Sequence, residues 1–127
     1  MADISACGMI RHIWMVNSHI KSRDLILRMY WDDAEKPAVE CPVGDFFFNA
    51  WDCYNHINST TVAVNPAKGF NCFWAMPFKT HARITMENRS CEDMVLYYQI
   101  DYQERELPAD IGYFHAVFNR QNPLPYK

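Results

Sequence analysis

Between Ala82 and Glu87 the chain alternates residue by residue: Ala82, Ile84 and Met86 point one way, Arg83, Thr85 and Glu87 the other. A period of two marks a strand with one buried face. Strand-like runs flank it at Gly69–Phe78 and Met94–Asp101, with turn residues between. The pattern predicts an antiparallel meander, around which the rest of the chain is organised. The third run places Tyr97 beside Tyr98, so each of its faces carries an aromatic ring.

Upstream, Met9–Val16 reads as the first strand, broken from what precedes it by Gly8. Strict alternation gives one face of Ile10, His12, Trp14 and Val16, and another of Met9, Arg11, Ile13 and Met15. Arg11 and His12 either line a cleft, or Arg11 reaches water over its stem and His12 is a hydrogen-bonded core histidine. Residues 17–24 form a polar link, in which Lys21, Arg23 and Asp24 read as a solvated turn. Leu25–Trp31 is the second strand. The acidic stretch Asp32–Pro37 lacks the spaced oxygen ligands of a calcium loop and reads as an exposed turn. Ala38–Pro42, bracketed by prolines, is expected at a sheet edge.

Val43-Gly44-Asp45 then runs into three phenylalanines. Asp45 either accepts hydrogen bonds from a ligand or caps the amides of the following turn. The loop Asn49–Ser59 carries Trp51, Tyr54 and His56, and Asp52 with His56 could form a dyad if it turned helically. Thr60–Val64 is a strand. Pro77 bends the end of the first meander strand. After a charged exit, Tyr102–Asp110, the last strand is Gly112–Asn119, with Tyr113, His115 and Val117 on one face. An extended segment, Asn122–Lys127, ends the chain. About eight short strands and no helix predict an all-β antiparallel sandwich, with the long 49–59 connection favouring a jelly roll over a simple meander barrel.

Composition narrows the function. At 127 residues the chain forms one domain, residues 1–127. Half its residues are hydrophobic and 15% are aromatic, which suits strands and a face for flat ligands or sugars. A formal net charge of −3 with no basic block argues against nucleic acid. The five cysteines are odd in number and form no C-x-x-C pair, so neither a zinc site nor a disulfide framework is predicted. They read as buried thiols, leaning towards a cytoplasmic setting. No apolar run reaches membrane-spanning length and no leader pattern precedes Gly8. No metal or cofactor is predicted.

Met9–Met15, Leu27–Asp32, Val39–Phe47, Phe70–Phe78, Tyr97–Tyr102 and the Tyr113–Ala116 run ending in Asn122-Pro123 lie in one order. Together they resemble glycoside hydrolase family 172, also described as domain-of-unknown-function family 2961. The resemblance spans nearly the whole chain. It implies a capsid-like jelly roll, the first of two in the family subunit, and a chain that stops where the second would begin. It implies action on furanosides, such as α-fructofuranosides (difructose dianhydride among them) and α-arabinofuranosides, and assembly into trimers or larger oligomers. The family retains anomeric configuration with two glutamates, which needs carboxyls about 5–5.5 Å apart. Those glutamates belong to the later half, one in a Gly-Thr-Glu-Asp-Tyr-like motif that has no counterpart here. No catalytic residue is therefore carried over. Glu40 and Glu87 lie in strands without an identifiable partner, and Glu104 and Glu106 sit in the charged exit.

The candidates for sugar contact are Trp14, Asp45, Trp51, Asn71, Trp74 and His115, which lie in the family-like stretches or the aromatic loop; core packing competes for Trp14, Trp74 and His115. The expected partners are a furanoside or oligosaccharide, the C-terminal jelly roll and further copies of the chain. A domain built to face a second jelly roll is also expected to expose an apolar patch of more than a few hundred Å². The alternative is a non-catalytic jelly-roll module for carbohydrate binding or assembly.

Overall fold

The computed structural model describes residues 1–18 and 21–126. Its strands are β1 (Ala2–Ile4), β2 (Gly8–Asn17), β3 (Leu25–Trp31), β4 (Val39–Pro42), β5 (Ile57–Asn58), β6 (Val62–Val64), β7 (Phe70–Cys72), β8 (Met76–Phe78), β9 (Ala82–Asn88), β10 (Leu96–Glu104) and β11 (Ala116–Val117), with one helical turn, α1 (Val43–Phe46). They form two sheets packed as a sandwich. One runs β1-β9-β3-β4-β11 and the other β10-β2-β7-β6-β5, with β8 also on β2. The all-β, jelly-roll-like architecture expected from the alternation is present.

Period two fills the core. Leu25, Leu27, Met29 and Trp31 point inward from β3, and Ala82 and Ile84 from β9. Ile10, Ile13 and Met15 meet them from β2. Strict alternation cannot place both Ile10 and Ile13 on one face. A bulge resolves this: Asp101 pairs His12 while Tyr102 pairs Ile10, which leaves Arg11 unopposed. The expected faces of β2 are corrected accordingly, with His12, Trp14 and Val16 outside and Ile10 joining Ile13 and Met15 inside.

The meander is also corrected. β7 and β8 pair with β2, β9 crosses to the other sheet between β1 and β3, and β10 returns to the far side of β2. No two of the three predicted runs are neighbours, because successive strands supply opposite layers of the sandwich. β4 is flanked by β3 and β11 and is not an edge. Of the predicted strand Gly112–Asn119 only Ala116–Val117 pairs, in parallel with Val39 and Glu40. Side-chain ties hold the rest of that segment: Trp31 Nε1 donates to the Phe114 carbonyl at 2.8 Å, and the Tyr113 hydroxyl donates to Asp32. Asp32 is thus a half-buried acceptor, not part of a solvated turn.

The run after Pro42 makes one helical turn, which the sequence reading did not contain. Phe46 and Phe47 enter the core while Phe48 stays exposed. The turn requires Gly44, where a Cβ would lie 2.3 Å from Ser22 Oγ and 2.8 Å from the Asn49 carbonyl. The polar link at 17–24 and the final Lys127 lie in part outside the described residues.

Candidate functional site

The outer face of the β10-β2-β7 sheet gathers groups from three strands. Trp14 stands between Gln99 on β10 and Asn71 on β7, paired directly with each. It is half-buried and flanked on both sides by planar amides. In the next row His12 stacks on Phe73, with ring centroids 4.7 Å apart and planes 7° from parallel. His12 Nδ1 lies 3.2 Å from Asp101 Oδ2 and Nε2 lies 3.1 Å from Asn71 Oδ1. The Asn71 amide nitrogen donates to the carbonyls of Asn65 and Gly69, which fixes its oxygen towards His12. Gln99 donates to Asp101 at 2.9 Å. That bond first, and His12 second, hold the Asp101 carboxyl below the usual carboxylate range, so it stays an acceptor at neutral pH. Aromatic faces beside oriented amides and a carboxylate can stack on the C–H faces of a sugar and bind its hydroxyls.

Asp45 and Trp51 lie elsewhere, each beside Arg23. Arg23 donates from Nε and Nη2 to the two oxygens of Asp45 at 2.9 and 2.8 Å. Asp45 makes no side-chain cap to the helical turn, so the capping reading is overturned. Arg23 is a fixed fork, not part of a solvated turn. Its backbone N–H donates to Asp52, which takes Asp52 away from the proposed dyad with His56. Trp51 is 83% exposed, at a backbone φ of 71°. Buried Asn49 closes the loop beneath it through two hydrogen bonds with the Asn55 backbone.

Trp74 and His115 join neither group. Trp74 packs on the core and tilts against Phe114 at 5.7 Å. His115 is exposed and, with Trp31 and Tyr113, borders a cavity of about 340 Å³. The six sequence candidates therefore scatter: Trp14 and Asn71 share a constellation, Asp45 grips Arg23, Trp51 borders a cavity with Arg23, and Trp74 and His115 stand apart. His12, Phe73, Gln99 and Asp101 complete it. The two-residue spacing of Gln99 and Asp101 is the one signal in the sequence that sets them on a common face, and it does not say that this face lies beside Trp14.

The outer face of the other sheet is ionic. Arg28 donates to Glu40 at 2.9 Å and to Glu87 at 2.6 Å, so one guanidinium joins the two glutamates that the sequence left unpartnered. Arg89 and then Arg28 hold Glu87 below the ordinary range. A carboxyl kept ionised in this way is no general acid at neutral pH. Among the described residues no group of three or more His, Cys, Asp and Glu is placed to hold a metal ion, and no helix is long and apolar enough to cross a membrane.

A family model described as GH172 domain-like matches residues 1–99, which contain all of the Trp14 constellation except Asp101. No curated protein matches the chain.

Proposed function

Because the chain belongs to the GH172 domain family, a group related to glycoside hydrolases, we propose that it is the N-terminal jelly roll of a furanosidase-type enzyme. In this reading the Gln99–Trp14–Asn71 row holds a furanoside, of the α-fructofuranoside, difructose dianhydride or α-arabinofuranoside type, and catalytic glutamates come from a second jelly roll. The observation that carries it is the outward, amide-flanked Trp14, a sugar-stacking geometry in a chain of this family. The docking edge for the second jelly roll or a further copy is β10. Among the described residues it pairs only with β2, and Tyr97, Tyr98 and Tyr102 stand exposed along it.

A binding or assembly module is the second reading. Its support is that the carboxylates joined by Arg28 include one held ionised, which suits recognition better than acid catalysis. One experiment separates the two. Hydrolysis of nitrophenyl α-arabinofuranoside and difructose anhydride is measured with this chain alone and with a supplied C-terminal half. Activity that requires both halves and falls at least tenfold in Trp14→Ala is the expected result. A folded, sugar-binding but inactive pair would establish the module instead, and activity unaffected by Trp14→Ala would remove that residue from the site.

A further inference from the structure

Three arginines from separate parts of the chain converge on one cavity. Arg23, Arg89 and Arg120 border about 530 Å³ of space beside Glu40 and Phe118. This is the size of a small-molecule site. Glu40, the one carboxylate on the wall among the described residues, is already engaged by Arg28. Arg23 is held by Asp45 and Arg89 by Glu87, each pairing through Nε and Nη2 and keeping Nη1 outside the pair. Arg120 makes no ion pair or hydrogen bond with any described residue. The wall is fixed by backbone bonds, since the Phe118 N–H donates to the Glu40 carbonyl and Arg23 lies over the Phe118 ring at 5.5 Å. In a chain of net charge −3, this is a local excess of guanidinium donors.

A second cavity, of about 540 Å³, lies across the same three side chains, Arg23, Phe118 and Arg120. Its wall adds exposed Trp51, the amides of Asn119, Gln121 and Asn122, and Asp52, whose carboxylate already accepts the Arg23 N–H. Guanidinium forks match a carboxylate. An exposed indole beside amides matches a sugar ring. We propose that this double cavity binds an acidic saccharide, with the carboxylate on Arg23, Arg89 and Arg120 and a ring on Trp51. The site is distinct from the Trp14 row and does not depend on the furanoside reading.

The test is isothermal titration of the folded chain with trigalacturonate, maltotriose and inorganic phosphate. Trigalacturonate is expected to bind and to weaken as salt rises, as charge pairing requires. Arg120→Gln and Trp51→Ala, both surface changes, are each expected to weaken it by about tenfold. Trp14→Ala is expected to leave it unchanged, which separates this site from the proposed furanoside row. Trigalacturonate binding that ignores Arg120→Gln would overturn the proposal. So would maltotriose binding equally well, or phosphate binding as tightly as the saccharide, the latter marking a free-anion site.

Discussion

Removing the Asp32 side chain tests how the turn at one end of the sandwich is held. Asp32 Oδ1 accepts the backbone N–H groups of Lys79 and Thr80 at 2.8 Å and of His81 at 3.2 Å, and Oδ2 accepts the Tyr113 hydroxyl. Asp32 itself has a φ of 52°, a left-handed conformation that Asp and Asn tolerate better than Ala. Hydrogen bonds to a charged group contribute about 1.5–3 kcal/mol each. The Thr80 N–H is exposed and regains water, which leaves three part-buried donors, the Lys79 and His81 N–H groups and the Tyr113 hydroxyl, without their acceptor. A part-buried donor left unpaired costs about 1 kcal/mol at the low end of the usual range, so with three of them Asp32→Ala is expected to cost about 4 kcal/mol, including about 1 kcal/mol of backbone strain. Asp32→Asn keeps the acceptor and the turn conformation and is expected to cost about 1–2 kcal/mol. For a domain of this size the Ala variant should melt roughly 15 °C lower. Urea denaturation at pH 7 measures both. A loss below about 1 kcal/mol for Ala, or equal losses for the two variants, would refute the account. The pH dependence has a definite sign. Burial pushes the Asp32 carboxyl up, but bonds from Tyr113 and the three amides outweigh it, so its pKa is lowered. Its contribution is full above the unfolded value near 3.9 and is lost as pH falls through the lower folded value. The gap between wild type and Asp32→Asn should stay constant from about pH 7 to 5 and close below about pH 4.

Two further predictions concern the thiols and the only doubly carboxylate-paired histidine among the described residues. Burial pushes Cys41 up to about 11 and Cys72 up to about 12, whereas Cys53 and Cys91 are exposed. Iodoacetamide at neutral pH should label Cys53 and Cys91 in the native protein and reach Cys41 and Cys72 only after unfolding, as read by mass spectrometry; rapid native labelling of Cys72 would contradict its placement. His81 bridges Asp3 at 2.6 Å and Asp33 at 2.5 Å, and the Asp3 bond, then Asp33, raises its pKa. Its support for β1 is present below about pH 6.5 and is lost as pH rises through the raised folded value, at a cost under about 1 kcal/mol because both carboxylates face water. Hydrogen exchange corrected for intrinsic rate should show β1 loosening above neutrality, and no such change should remain in His81→Asn.

The strands were legible because burial writes its period into the sequence. Ala82, Ile84 and Met86 were placed inward by alternation alone, and they are the inward residues of β9. Pairing was not legible, because alternation says which face is buried and not which strand lies alongside. The three runs read as a meander went to both sheets, and the bulge opposite Asp101 and Tyr102 reset half of β2. The candidate site shows the same division. Trp14 and Asn71 were both named from the sequence, and only the register of β2 with β7 makes them neighbours. Arg23 was missed because a basic residue beside Lys21 and Asp24 looks like a solvated turn until Asp45, 22 residues further on, arrives to grip it.

The electrostatics also indicate what kind of work this domain suits. Retaining hydrolysis of a glycoside needs one carboxyl kept protonated near neutrality, which burial or a second negative charge achieves by raising its pKa. The carboxyls with resolved shifts here, Asp32, Glu87 and Asp101, all move the other way, each under hydrogen bonds or cations that favour the charged form. Such carboxylates accept hydrogen bonds and do not deliver protons. Asp101, beside His12, Gln99 and the Trp14 row, is placed to accept from a hydroxyl, while Glu40 and Glu87 are joined by Arg28 on the opposite face of the sandwich. This charge pattern fits the proposed reading, in which this domain binds the sugar and a second jelly roll supplies the acid. In the activity test above, adding the second half should therefore change turnover, while Trp14→Ala should act first on substrate binding.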